Sequence, residues 1–318
     1  MKLSVTIPIL NEEDTLRELA ARLRTVLEGV TPDWEVLFVD DGSTDRSWEV
    51  MADLHGDDER FGALRLSRNF GYQAACTAAL DHARGDVVVL MDGDLQDPPE
   101  LLPELLARLD EGYDVAYAVK RRRAESAARR LAFDWFYRLQ RRLSTMPVVA
   151  GAGSFSAMSR RVVDCIRGMA ESHRYVSLLR SFTGFRQVGV PFDRPGRQAG
   201  APRQTLRKLV ELALDGLFSF SYVPVRIATF LGLGTALVAL VFAAIVLYTR
   251  LFTDKAIIGW ASTMLSHLFL GAVQLVCLGI LGEYIARIYD EVRRRPQYII
   301  GERLASGPSA SAEEQADG

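Results

Sequence analysis

The chain is predicted to be an α/β protein: a mainly parallel sheet covered by helices, followed by a hairpin of two membrane-length helices. Three observations predict this. From residue 3 to residue 118, short β-branched runs alternate with helical patterns. Residues 86–91 (DVVVLM) are almost unbroken in apolar character, as in a central strand buried on both faces. Residues 227–249 contain no charged side chain in 23 positions.

Each element follows from its residues. Residues 3–8 read as a buried strand. Residues 12–27 follow as a helix, with Leu16, Leu19, Leu23 and Leu27 at helical spacing. Residues 35–39 form a second strand that runs into Asp40, Asp41, Gly42 and Ser43. Ser43 suits the N-cap of a helix reaching Leu54. Residues 63–66 make a third strand, 72–83 a helix and 86–91 the central strand. Pro98 and Pro99 open another helix through Leu109, and 115–118 form a further strand. This βαβα order implies a twisted, mainly parallel sheet. The sequence has neither a P-loop nor a G-x-G-x-x-G run.

As a helix, residues 227–249 span ~35 Å, enough for a hydrocarbon core of ~30 Å. A second uncharged stretch occupies 256–282, between Lys255 and Glu283. The competing reading is a pair of buried core helices. With only residues 250–255 between them, the two form a hairpin whose flanks lie on one side. Arg203, Arg207, Lys208 and Arg226 precede it, and Arg287, Arg293, Arg294 and Arg295 follow. The link carries only Arg250 and Lys255. The excess of basic flanking residues places both termini in the cytoplasm. The chain starts with Met-Lys and enters a strand at once, without the apolar stretch of a signal peptide. The expected layout is a cytoplasmic domain over 1–200, an amphipathic juxtamembrane segment over 201–226, transmembrane helices over 227–249 and 256–282, a basic cytoplasmic segment over 283–304, and a disordered tail over 305–318. Residues 203–221 and 131–143 both mix apolar and basic residues as interfacial helices do, or as ordinary surface helices packed on a core do.

Composition excludes several classes. With 49% hydrophobic and 25% charged residues, the chain is too charged to be wholly membrane-buried and too apolar to be disordered. A net charge of −2 gives no argument for nucleic-acid binding. Three scattered cysteines fit neither a disulfide framework nor a structural zinc site, and agree with a reducing compartment. The 34 arginines against 4 lysines hint at a GC-rich bacterial genome, and in a bacterium a hairpin with cytoplasmic flanks would lie in the inner membrane.

The chemistry-bearing residues collect at strand ends, where open α/β sheets bind ligands. Asp40 and Asp41 follow the second strand; Asp92 and Asp94 follow the central one, in MDGDLQDPP. An Asp at a strand end is often a turn residue or helix cap. Four carboxylates at two neighbouring ends also suit a hard cation with a diphosphate, Gly93 permitting close backbone approach. Both readings stand on residue types alone.

Four segments together resemble glycosyltransferase family 2: IPILNEE (7–13), VDDGSTD (39–45), LSRNFGYQAA (66–75) and MDGDLQDPP (91–99). With the C-terminal hairpin, the chain is similar to the polyprenyl-phosphate group of that family, which includes the bactoprenol glucosyltransferases and dolichol-phosphate mannose synthase. The resemblance implies a GT-A fold, a nucleotide-sugar donor, Mg2+ or Mn2+, and a polyprenyl-phosphate acceptor such as undecaprenyl phosphate in the bilayer. It implies that Pro8, Asn11 and Glu12 line the nucleotide pocket and that Asp41 bonds the base. Asp92 and Asp94 would approach the metal and the donor diphosphate, with Gln96 completing the metal shell. Asn69 and Gln73 belong to a motif near the donor sugar. An anionic acceptor phosphate makes a dedicated general base less necessary than a hydroxyl acceptor would, and Asp94 is the candidate if there is one. Lys120 and Arg121 follow a strand where relatives carry Arg; Arg203, Arg129 and Arg130 are further candidates for the two phosphate sites.

Two positions and one short segment depart from the group's pattern. Ser154 stands where many relatives have Asp, Tyr72 where several have His, and Pro202-Arg203-Gln204 replaces a Ser-Lys-Tyr segment. The departures bear on substrate choice more than on reaction class. UDP-glucose is the favoured donor on resemblance; GDP-mannose, other UDP-sugars and an aminoarabinose-type donor are alternatives, as is a non-catalytic membrane partner. A homotetramer is the expected assembly by the same resemblance.

Overall fold

The computed structural model describes residues 2–120, 152–169, 171, 174–193, 223–252 and 259–306. Arg121, Arg129, Arg130 and Arg203 lie outside these residues. So do the two segments read as interfacial, 131–143 and 203–221, and all of the expected tail after Ser306. Chain contacts divide the protein into two compact units, one holding the sheet and the other holding the long helices.

The first unit is an eight-stranded sheet. Its early strands are β1 (Leu3–Ile9), β2 (Trp34–Asp40), β3 (Phe61–Leu66), β4 (Val87–Leu90) and β5 (Val115–Lys120). Then come β6 (Ala152–Ser159), β7 (Gln187–Phe192) and β8 (Ile300–Leu304). Their order is β7-β5-β6-β4-β1-β2-β3-β8. The pairs β1–β2, β2–β3, β1–β4 and β5–β7 are parallel. β6 runs antiparallel between β4 and β5, and β8 antiparallel along β3. The predicted, mainly parallel α/β sheet is therefore present.

Apolar patterning explains the layers. All seven residues of β1 and of β2 are buried, because helices cover both faces. Along β4, Val87 and Val89 enter one core with Leu3, Val5, Leu16 and Leu19. Val88 and Leu90 enter the core on the opposite face with Cys76, Leu80 and Met158. Helix α1 (Leu16–Val30) buries Leu16, Leu19, Leu23 and Leu27, the spacing that predicted it. α2 spans Ser47–Asp57, α3 Tyr72–His82 and α4 Leu102–Asp110, the last entered through a 3-10 turn at Pro99–Leu101. α5 (Arg160–Arg167) and α6 (Val176–Phe182) follow β6.

One local expectation is corrected. Ser43 does not cap α2, which begins four residues later with Arg46 at its N-cap. Asp45 Oδ1 instead accepts from the Ser47 amide, and Ser43 is used to join two loops, as described below. The sequence also hid β6, β7 and β8. β6 (AGSFSAMS) places serines between apolar residues because it is inserted between two strands. β8 (IGERL) is an edge strand with largely exposed residues, so it shows no apolar run. It lies in the stretch read as a basic segment, and Ser306 just beyond it donates to Glu35 Oε2 at 2.8 Å.

The second unit contains α7 (Val223–Phe252) and α8 (Trp260–Arg293). Both contain windows long and apolar enough to cross a membrane, Ala228–Ile245 and Phe269–Arg293. These windows are almost wholly exposed: Phe230, Leu240 and Leu275 keep about 70% of their surface. Cys277 Sγ donates to the Ala228 carbonyl across the pair, 3.6 Å away. α8 continues past the predicted end at residue 282 and stops at Arg294, whose φ of 48° is left-handed.

Candidate active site

The sheet reverses direction of growth between β1 and β4: β2 and β3 lie to one side, β4 to the other. Such a switch point opens a crevice beyond the strand ends. β4 stays paired with β1 only to Thr6–Leu90. Pro8 comes two residues later and is paired only with Val39 of β2. A proline has no amide to offer a ladder, so it fits the point where β4 has left β1.

The loops after β1 and β2 are laced together. Asn11 has φ of 56° and a side-chain Oδ1 that accepts from the Thr44 amide at 2.8 Å. Its own amide donates to Ser43 Oγ at 2.9 Å, and the Glu12 amide donates to Ser47 Oγ at 2.9 Å. Asp40 is fully buried; Oδ1 accepts from the Ser43 amide and Oδ2 lies 3.4 Å from Arg65 Nε. Asp41 accepts from the Phe70 amide at 2.7 Å and the Gly71 amide at 3.0 Å. Burial pushes its carboxyl above the ordinary range, and these two amides offset part of that. In the described structure the Asp41 carboxylate thus holds the loop before α3.

The loop after β4 is held on β1. Thr15 Oγ1 donates to the Gly93 carbonyl at 3.1 Å, and a Cβ on Gly93 would lie 2.5 Å from Ile9 Cδ1. Leu95 has φ of 58°, a left-handed turn that bends the segment back. Asp97 is buried and its Oδ2 accepts from the Asp92 amide at 3.2 Å; Asp94 Oδ1 accepts from the Gln96 amide at 3.1 Å. Gln96 is buried, and its side-chain amide nitrogen has no hydrogen-bond partner among the described residues. That nitrogen is a donor, so it calls for an acceptor such as a phosphate oxygen rather than for a cation. Among the described residues no three His, Cys, Asp or Glu side chains cluster as a metal cage. Two carboxylates and a carboxamide are hard oxygen donors of the kind that suit Mg2+ or Mn2+ when a substrate diphosphate completes the shell. The residues fit such an ion.

Asp92 Oδ1 is approached from two other elements. Tyr72, the first residue of α3, donates from its hydroxyl at 2.6 Å; Ser154 of β6 donates from Oγ at 3.2 Å. Burial first, then neighbouring Cys76 and Asp92, push the Tyr72 hydroxyl far above its ordinary value, so it remains a donor. Two of the three sequence departures, Tyr72 and Ser154, therefore converge on one carboxylate oxygen. Gln73 faces elsewhere: its Oε1 accepts from the Val176 amide and ties α3 to α6. Ser156 Oγ turns back to the Ser154 carbonyl.

Lys120 ends β5, which runs parallel to β4 through the intervening antiparallel β6, so it lies on the same sheet edge. Two residues escaped sequence reasoning. Arg180 of α6 is 1% exposed; its Nη1 donates to the Gly153 carbonyl at 3.4 Å and its guanidinium lies 5.0 Å from the Tyr117 ring centre. Burial pushes it down to about 10. A lone charge inside VSLLRSF was its only signal. Glu302 of β8 accepts from Arg65 Nη1 at 3.0 Å. Together with Gly42, Ser43, Arg68 and Gly301 this pair lines an open cavity of about 460 Å³ at the ends of β2 and β3. Nothing in the local sequence of β8 announces that role.

An α/β sheet with carboxylate-bearing loops at its switch point is an architecture that binds ligands beyond its strand ends. Residues 4–167 match the family model described as glycosyl transferase family 2, and the chain belongs to that family. It is a glycosyltransferase with a GT-A-like catalytic domain. The chain is 39% identical over 298 residues to the Bacillus subtilis uncharacterized glycosyltransferase YkcC, covering 93% of this chain and 92% of that one. It is 38% identical over 303 residues to the Synechocystis uncharacterized glycosyltransferase sll0501, covering 95% of each. It is 36% identical over 309 residues to the SfII prophage-derived bactoprenol glucosyl transferase of Shigella flexneri, covering 97% of this chain and all of that one.

Proposed function

We propose that this protein transfers glucose, with inversion, from UDP-glucose to the phosphate of a polyprenyl phosphate held in a bacterial membrane. The observation that carries the reading is the carboxylate pair Asp92 and Asp94 beside the β1–β4 crevice, on a chain similar end to end to a bactoprenol glucosyl transferase.

In this reading the nucleoside end of the donor lies over Pro8, Asn11 and Glu12, on loops whose mutual hydrogen bonds fix them before substrate arrives. Asp41 contributes to the base site through the loop it holds. Asp92, Asp94 and Gln96 would hold Mg2+ or Mn2+, which when bound neutralises charge growing on the departing diphosphate. Lys120, Arg121 and Arg203 supply cationic groups for the donor diphosphate and the acceptor phosphate. The acceptor oxygen is already anionic and attacks the anomeric carbon without losing a proton, so no side chain has to act as base. The exposed apolar helices α7 and α8 would anchor the enzyme beside an acceptor whose isoprenoid tail is confined to the bilayer, raising its effective concentration. The soluble domain and both termini then face the cytoplasm.

A donor screen tests the reading. Detergent-purified full-length protein with Mg2+ or Mn2+ meets undecaprenyl phosphate and radiolabelled UDP-glucose, UDP-galactose, UDP-N-acetylglucosamine or GDP-mannose. Label should enter the organic phase from UDP-glucose, and Asp92→Ala and Asp94→Ala should abolish it. Transfer from another donor alone would replace glucose. Full activity in both variants would remove the metal assignment.

A further inference from the structure

We propose that Tyr72 and Ser154 are positioning residues for Asp92, together engaging Oδ1 so that Oδ2 is the oxygen offered to the cation and donor diphosphate. This inference rests on the metal-dependent reading above and specifies how that site is set.

Three separate elements bring one oxygen its two donors. Tyr72 stands at the start of α3, Asp92 follows β4, and Ser154 belongs to β6. The 2.6 Å contact from Tyr72 has the length of a hydroxyl bound to a charged acceptor, and the 3.2 Å contact from Ser154 is longer and weaker. The Asp92 amide is fixed separately by Asp97 Oδ2. The residue is thus held at its backbone and at one side-chain oxygen, while Oδ2 accepts no hydrogen bond among the described residues. Free carboxylates choose between one-oxygen and two-oxygen coordination; two hydroxyls on Oδ1 remove that choice. Outer hydrogen bonds of this type orient ligands and are worth about 10- to 100-fold in metal affinity. Both hydroxyls are directed to Asp92 Oδ1, so both act through Asp92.

The test measures Mn2+ binding directly. The free Mn2+ signal in electron paramagnetic resonance is titrated against full-length protein in detergent, with and without UDP, for the wild type, Asp92→Asn, Tyr72→Phe, Ser154→Ala and Ser154→Thr. We expect Tyr72→Phe and Ser154→Ala each to weaken Mn2+ binding by about 10-fold, with the metal-free melting temperature unchanged and Ser154→Thr close to wild type. Because both donors serve one oxygen, the double variant should lose less than the product of the single losses. Unchanged or tighter binding in both single variants, with Asp92→Asn still defective, overturns the positioning role and leaves the metal reading intact. Equal binding by wild type and Asp92→Asn overturns the metal reading itself. A fall in metal-free stability with unchanged Mn2+ affinity marks the hydroxyls as merely structural and overturns the proposal. Should Tyr72→Phe not fold, the Ser154→Ala and Ser154→Thr pair decides alone.

Discussion

The Asp41 carboxylate accepts a 2.7 Å hydrogen bond from the Phe70 amide, so the end of β2 holds the loop that leads into α3 and Tyr72. The neighbouring Gly42 makes this approach possible. It has φ of 73°, and a Cβ there would lie 2.6 Å from the Asn69 amide nitrogen. Both residues fix the 68–71 loop against the end of β2. Asp41→Asn turns one acceptor oxygen into a donor facing an amide; we expect a loss of about 1–3 kcal/mol, read from urea midpoints. Gly42→Ala should cost at least ~1 kcal/mol, since its backbone conformation and its neighbours both oppose a side chain. In each variant the donor KM should rise.

The strand that follows the long helices should loosen in acid. His82 packs edge-on to Tyr298, with ring centres 6.0 Å apart, and Tyr298 donates to Asp81 Oδ2 at 3.0 Å. Burial, the largest cause, holds His82 below its ordinary value; Arg303 and Arg167 act in the same direction, Asp81 in the opposite one. The unfolded state therefore binds the proton more readily. The His82 contribution is present above pH 6.5 and is lost as pH falls through its lowered folded value. Corrected for the slower intrinsic exchange in acid, hydrogen-exchange protection over residues 298–304 should fall from about pH 7 to about pH 5 in the wild type and stay flatter in His82→Gln.

Arg180 is a buried cation with no carboxylate in ion-pair range among the described residues. Its hydrogen bond to Gly153 and its ring contact with Tyr117 offset only part of the desolvation cost. Arg180→Met keeps the volume and removes the charge, so its melting temperature should equal or exceed that of the wild type. Arg180→Ala leaves a cavity and should lose about 2–4 kcal/mol. A clear drop in melting temperature for the Met variant would show that the charge has an electrostatic partner.

The exposed helices give a prediction independent of catalysis. Leu240 lies within the apolar window of α7 and is 69% exposed. Leu240→Arg should disfavour insertion by about 2.5–3.5 kcal/mol. The variant protein should shift from the carbonate-resistant membrane fraction toward the soluble or degraded fraction, while a Leu240→Ile control stays with the wild type.

Much of this molecule was legible residue by residue. The Leu16, Leu19, Leu23 and Leu27 ladder, the doubly buried β4 and the uncharged run of α7 each state a backbone period within one short window. The D-x-D after β4 was legible for the same reason, as turn chemistry and strand ends are set by near neighbours. Ser43 shows the limit of that reasoning. As a cap it is locally plausible, yet its hydroxyl is taken by the Asn11 amide from another loop.

Other features depend on groups that meet only after folding. Tyr72 and Ser154 lie 20 and 62 positions from Asp92, and neither position advertises its partner. β8 reaches β3 after the whole helical hairpin has intervened, and brings Glu302 to Arg65 across 237 positions. Short-range periodicity specifies which segments are strands, helices or membrane-length spans, because those choices are governed by contacts a few residues apart. Which oxygen of Asp92 is left open, and which strand closes the sheet edge, is set by packing between distant segments, where burial and hydrogen-bond satisfaction select one partner among many.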